Sequence, residues 1–196
     1  MMALVASFLL STNAPAAELI RSCRAMIPSE ARIEGRIILR NRKGIVKSEY
    51  GYALERVSGE TKLTIDGRPF AVAGDSGKGA ATGAPVLDTD VTTEDLSIAY
   101  LWWEDVSDDA ERTGESIHGQ SCRVLDLKRD DRLVKIWVDC KTGALMQAEE
   151  HRNGKPIRRL WGTRIKKFGE RWMANVMEVE TLGSGHRTKI TVEKLD

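Results

Sequence analysis

Residues 71–85, "AVAGDSGKGAATGAP", hold two letter patterns that could do chemistry. Gly74-Asp75-Ser76-Gly77 has the wording of a serine-protease nucleophile, and Gly77-Lys78 that of a phosphate-binding loop. Neither pattern is complete. The chymotrypsin-like order places a histidine ahead of the serine, whereas His118, His151 and His186 all follow Ser76. A nucleophile elbow needs G-x-S-x-G between a buried strand and a helix, and Lys78 stands where its last glycine belongs. A phosphate loop needs Gly five positions before Gly77 and Ser or Thr after Lys78; Val72 and Gly79 occupy those places. The stretch therefore reads as a glycine- and alanine-rich mobile connector, and not as an active site.

The other reactive groups are scattered. The histidines form no H-x-H or H-x-x-x-H pair and read as solvated loop residues, so no metal site is expected. The acidic runs "EDVSDDAE" and "KRDDR" read as solvated loops. Three cysteines, Cys23, Cys122 and Cys140, are too few for a disulfide scaffold, and no C-x-x-C occurs. A hairpin centred on Asp131 would set Cys122 opposite Cys140 and Val124 opposite Val138. Either a cross-strand disulfide or two buried thiols fits that register, and a shift of one residue would part the pair.

The elements that must position these groups are mostly strands. The chain has 196 residues, enough for one domain with a sizeable core. Its 30 basic and 29 acidic residues nearly balance, so net charge gives no sign of a nucleic-acid partner. The apolar run "MMALVASFLL" is too short to span a bilayer as a helix. Followed by Ala14-Pro15-Ala16, it reads as a secretory signal over residues 1–16, with one domain over 17–196. Leu19, Ile20, Cys23 and Met26–Ile27 have near-helical spacing, ended by Pro28. Alternation then takes over. Ile33, Ile37 and Leu39 share one face of a strand, and Val46, Tyr50, Tyr52 and Leu54 one face of the next. "TDVTTEDLSIAYLWW" predicts a helix capped by Thr92 or Thr93, with acids in its first turn. From residue 111 onward short turns, the Asn153-Gly154 hairpin signal among them, divide a long strand meander. The pattern predicts an α+β fold: a large antiparallel sheet, curled or closed, with helices to one side.

A curled sheet needs something on its concave face: side chains, a helix or a ligand. Trp102, Trp103, Trp137, Trp161 and Trp172 fit either plain core packing or the wall of an apolar cavity.

Three segments resemble one known family. "DTDVTTEDL", "VKIWVDCKTGALMQAEEHRNGKPIRRLW" and "RWMANVMEVETLGSGHRTKITV" are similar, in this order, to motifs of bacterial outer-membrane lipoprotein-sorting proteins, the LolA-like superfamily. The likeness spans roughly residues 16–196, with departures at Val91, His151 and Ala174. It implies an unclosed antiparallel β-barrel of about eleven strands, with helices covering an apolar cavity. It implies a carrier of lipid or lipoprotein acyl chains in the bacterial periplasm. Such a carrier is a monomer without cofactor or enzymatic activity, and exchanges cargo with an inner-membrane transporter or an outer-membrane acceptor. An envelope sensor or interaction module that binds a signalling partner is the alternative this family allows. Tyr50, Tyr52, Leu101, Trp102, Trp137, Trp161 and Met173 are the candidate cavity residues.

Overall fold

The computed structural model describes residues 15–72, 83–169 and 171–196, with the side chains of Arg171 and Trp172 left aside. The signal-like run and the Ser76–Lys78 letters lie outside the described residues.

Among the described residues, twelve strands form one antiparallel sheet that does not close. Helix α1 (Ala16–Ala25) comes first, then β1 (Ala31–Asn41), β2 (Val46–Val57), β3 (Glu60–Ile65) and β4 (Arg68–Phe70). Helix α2 (Thr93–Ser97) and a 3-10 turn (Ala99–Trp102) follow. After them come β5 (Asp105–Asp108), β6 (Ser116–Ile117), β7 (Gln120–Arg129), β8 (Arg132–Asp139) and β9 (Leu145–Arg152). The chain ends with β10 (Lys155–Phe168), β11 (Arg171–Thr181) and β12 (His186–Leu195). The spatial order is β4-β3-β2-β1-β12-β11-β10-β9-β8-β7-β5, with β6 paired to β7 off that path. The first and last strands thus lie side by side, with Ile37 opposite Ile190.

Tight turns make the meander. Ser58-Gly59, Asp66-Gly67, His118-Gly119 and Asn153-Gly154 all hold positive φ at both residues, the geometry that suits the right-handed twist of hairpins. In β1 the alternation works as expected: Ile37 and Leu39 are buried and Arg36 is exposed. Gly35 marks a bulge against β12, where a Cβ would stand 1.8 Å from the Thr191 carbonyl oxygen.

Three local expectations are corrected. The β7–β8 turn is the two-residue Asp130–Asp131, so Arg129 faces Arg132, Val124 faces Trp137 and Cys122 faces Asp139. This one-residue shift separates Cys122 from Cys140, and both thiols are free. The acidic run after Trp103 contains β5, an edge strand paired with β7, and not only loop. The helix expected across residues 92–103 breaks at Ile98, whose φ of 55° is left-handed. A β-branched residue seldom adopts that conformation, so nothing in the sequence marks the break.

The core fills the concave face. Ile37, Leu54, Leu63, Ile65, Leu125, Ile136 and Ile190 point inward from the sheet. Leu19, Ile20 and Cys23 of α1 meet them, as do Val91, Tyr100, Leu101 and Trp103 of the α2 segment.

Candidate site: an apolar cavity beneath a bolted lid

The sheet and the two helical segments enclose an apolar cavity of about 210 Å³. Its position follows from a split in the sheet. β11 pairs with β12 only from Val176 to Val179, while β12 runs on beside β1 as far as Leu195. Met173, Ala174 and Met177 on one side of the split, and Val192 and Leu195 on the other, line the cavity. Tyr52 and Leu54 of β2 and Leu160 and Gly162 of β10 continue the wall. Leu96, Ile98 and Leu101 form the roof, and Cys23, Met26 and Ile27 of α1 an adjoining side. All four methionines beyond residue 2 (Met26, Met146, Met173 and Met177) lie on this wall. Methionine is unbranched and polarizable and repacks readily around irregular shapes. Burial pushes the Cys23 thiol up to about 12, against a smaller opposing effect of Arg24, and raises the Tyr52 hydroxyl. Both side chains are therefore neutral at physiological pH and suit an apolar wall.

The lid segment is fastened by buried charge. Thr92 caps α2 in a reciprocal box: its side chain accepts from the Asp95 amide at 3.2 Å, and the Asp95 carboxylate accepts from the Thr92 amide at 2.7 Å. Arg158 of β10 donates to Asp95, to the Asp90 carbonyl at 2.9 Å and to Glu150 at 3.2 Å. Arg132 of β8 reaches Glu94 at 2.7 Å and Glu150 at 3.4 Å. Asp90 accepts from the Thr188 hydroxyl at 3.1 Å, which ties the lid to β12. Burial favours loss of the Arg158 and Arg132 charges, but the carboxylates around them outweigh it and hold both guanidiniums above their ordinary value. At the other end of the lid, Arg24 of α1 donates to the Leu101 and Trp103 carbonyls at 2.6 and 3.1 Å. Arg56 of β2 donates to the Ser97 carbonyl and stacks on Trp102 at 4.9 Å.

The candidate cavity residues part into three groups. Tyr52, Leu101 and Met173 line the cavity. Tyr50 and Trp102 pack against the core but outside the cavity wall; the Tyr50 hydroxyl donates to Asp88 at 2.7 Å. Trp137 and Trp161 stand on the far face of the sheet. Trp137 joins Cys122 and Val124 in a separate small cluster, and Trp161 lies under the Arg187 guanidinium at 5.1 Å. The reason is parity: their neighbours Ile136 and Leu160 take the inward positions. His151, expected in solvent, is buried with its Nε2 2.7 Å from Glu149. His118 remains exposed in its turn, with Nε2 3.1 Å from the Gly162 carbonyl oxygen. Sequence reasoning missed the ionic lock. The acids of "TTEDL" were visible, but they read as helix-dipole partners, and their cations lie on distant strands. Among the described residues no cluster of His, Cys, Asp and Glu could hold a metal ion.

Comparison with known proteins places the fold. A family model described as an uncharacterized protein matches residues 78–196. No curated protein matches the chain. Among solved structures, a domain designated an outer membrane lipoprotein-sorting protein from Vibrio parahaemolyticus superposes with a TM-score of 0.73 at 16% identity, covering 92% of this chain and 91% of that one. A LolA superfamily protein from Nitrosomonas europaea gives 0.70 at 16% identity, with 94% of each chain covered. A DUF1329 family protein from Desulfovibrio piger gives 0.63 at 16% identity, with 93% of each covered. The likeness extends over almost the whole chain and is one of fold: an open barrel with helices over its concave face. Among the described residues, no helix is long and apolar enough to cross a membrane.

Proposed function

Because this chain has the fold of the LolA-like superfamily and belongs to the family whose model covers residues 78–196, we propose that it is a periplasmic carrier of lipid or lipoprotein acyl chains. The observation that carries the reading is the methionine-lined apolar cavity beneath the lid. An acyl chain crossing water gains about 0.8 kcal/mol for each methylene it buries, and this wall offers that burial with Asp95 its single charged member. The cavity volume of about 210 Å³ is below the roughly 300–1,000 Å³ of sites for drug-sized ligands. It takes one acyl chain or the end of one, and a larger cargo requires the lid to move. Loading and release then fall to partners at the two membranes, an inner-membrane transporter and an outer-membrane acceptor. The similarity to a lipoprotein-sorting domain supports this assignment of cargo and compartment.

Native mass spectrometry of protein purified from the cell envelope tests the proposal. Co-purifying lipid, or uptake of a fluorescent fatty acid by the delipidated protein, is the expected result. Protein that is empty in repeated preparations and takes up no fatty acid overturns it, and a stable lipid-free protein complex would then favour the interaction module.

A further inference from the structure

The outer face of β1 carries three arginines at four-residue spacing, and two of them are partnered. Arg32 pairs with Glu34 and Glu55, and Arg36 with Glu49 and Glu193. Arg40 has no carboxylate partner among the described residues, and its Nε is buried without a hydrogen-bond acceptor. Its cross-strand neighbours give no relief. Arg187 of β12 lies directly opposite on one side and Val46 of β2 on the other. Like charges set opposite each other in a sheet are destabilising, and a charged donor buried without a partner is costly. Arg187 is compensated by Glu178 at 3.1 Å and Glu180 at 3.6 Å; Arg40 is not. A local rule broken without compensation inside the chain is a pointer to function. A groove of about 300 Å³ opens beside Arg40, between the β1–β2 and β11–β12 turns. Arg40, Arg42, Arg187 and Lys189 line it against Glu178 and Glu180, an excess of two cations on a chain whose whole net charge is +1. Arg40, Arg187 and Lys189 share the outward face, because Leu39 and Thr188, next to them in the strands, are buried on the inward one. Arg42 reaches the groove from its turn: its Nε lies 3.3 Å from the point where a Cβ on Gly185 would stand. Neither Arg42 nor Lys189 has an ion pair or side-chain hydrogen bond among the described residues.

We propose that this groove binds a phosphate group, with Arg40, Arg42 and Lys189 donating to its oxygens. A carboxylate offers two oxygens and satisfies one guanidinium fork. Two unpaired guanidiniums and an ammonium call for more acceptors and more charge, and phosphate has both. Arginine's planar fork matches phosphate geometry, and lysine adds a point charge. The groove is separate from the apolar cavity. It lies on the opposite face of the sheet, about 23 Å along β1 from Ile33 of the cavity wall at about 3.3 Å per residue. The site therefore does not rest on the carrier reading. Free phosphate and the headgroup of a phospholipid present this same chemistry.

Titration with inorganic phosphate, followed by amide NMR, tests it against sodium acetate and sodium chloride at matched ionic strength. Phosphate should shift the amides of residues 40–44 and 184–189 to saturation, and the other salts should not. Arg40→Gln should weaken binding at least about tenfold, the loss expected for hydrogen bonds from a charged donor, and Lys189→Gln several-fold. Arg36→Gln removes an arginine of the same face from outside the groove and should bind like the wild type. Arg40→Gln should melt no lower than the wild type, since it relieves a like-charge contact, and should keep fatty-acid uptake. Phosphate should raise the melting temperature of the wild type and not that of Arg40→Gln. No saturable shift, an equal response to acetate, or equal loss in Arg40→Gln and Arg36→Gln overturns the proposal. Flotation with phosphatidylglycerol vesicles separates the two sources. Vesicle binding that phosphate competes away and Arg40→Gln lacks assigns the groove to a lipid headgroup; phosphate binding without vesicle binding assigns it to free phosphate. Phosphate binding without fatty-acid uptake would retain this site and remove the carrier reading.

Discussion

Arg158 holds the lid through three acceptors at once: Asp95, the Asp90 carbonyl and Glu150. Removing one partner of a buried ionic group leaves the others charged without compensation, at a cost of about 3–5 kcal/mol. Arg158→Leu is expected to lose that much stability in urea unfolding, and Arg158→Leu with Asp95→Leu less than the sum of the single changes. A second buried carboxylate reports on acid. Burial raises Glu149, but its bonds to Arg159 and His151 and their charges outweigh this and hold it below its ordinary value of 4.5. Burial and the Lys135 ammonium oppose each other in the same way at Asp109, and the net direction is again downward. A carboxyl lowered in the folded state contributes stability in full above its unfolded value and loses it as pH falls through the folded value. The melting temperature should therefore be insensitive to these groups near neutrality and fall below about pH 4. Glu149→Gln should flatten that fall, whereas an unchanged acid limb would assign it to other carboxylates. At this scale the sequence was only partly legible. Residue types were plain, but Arg158 and Asp95 are far apart in the chain, and only the barrel brings them together.

The lid is a short helix whose start is well specified and whose end is not. Thr92 and Asp95 form the cap, and both Thr92 and Glu94 are buried. Thr92→Ala should cost about 1–2 kcal/mol, the upper part of the range for cap loss. It should also speed amide exchange in residues 93–97 more than in β1 or β12, since the cap holds the lid and not the sheet. Equal acceleration throughout would mean that the lid does not open apart from the barrel. The capping signal and the Asn153-Gly154 hairpin were both legible because a local chemical requirement selects those residues. The Ile98 break was not, because no local propensity favours a left-handed conformation at a β-branched residue. The β7–β8 register lies between these cases. Two aspartates marked the turn, but a choice between centres one residue apart decides which side chains share a face, and with it the fate of Cys122 and Cys140.

Across the whole molecule, alternation was enough to specify a curled antiparallel sheet with helices on one side. It did not reveal which face is concave at each tryptophan. Trp137 and Trp161 are large and apolar, yet they serve the outer face, while methionines line the cavity. Met173→Glu is expected to cut fatty-acid uptake at least about tenfold, since 1.4 kcal/mol is already a factor of ten and a carboxylate in apolar surroundings costs more. Trp161→Ala, on the opposite face, should leave uptake unchanged. Equal loss in both would mean that uptake does not occur in the cavity. The adjacency of β1 and β12 has a kinetic consequence. β1 takes its second neighbour from β12, far along the chain, so the central seam of the sheet stays open until that distant segment is available. A chain that lacks β12 leaves the facing edges of β1 and β11 unpaired. Folding dominated by such distant pairings is slow and exposed to aggregation. A chain of this design has to be kept apart from its own copies until β12 is available.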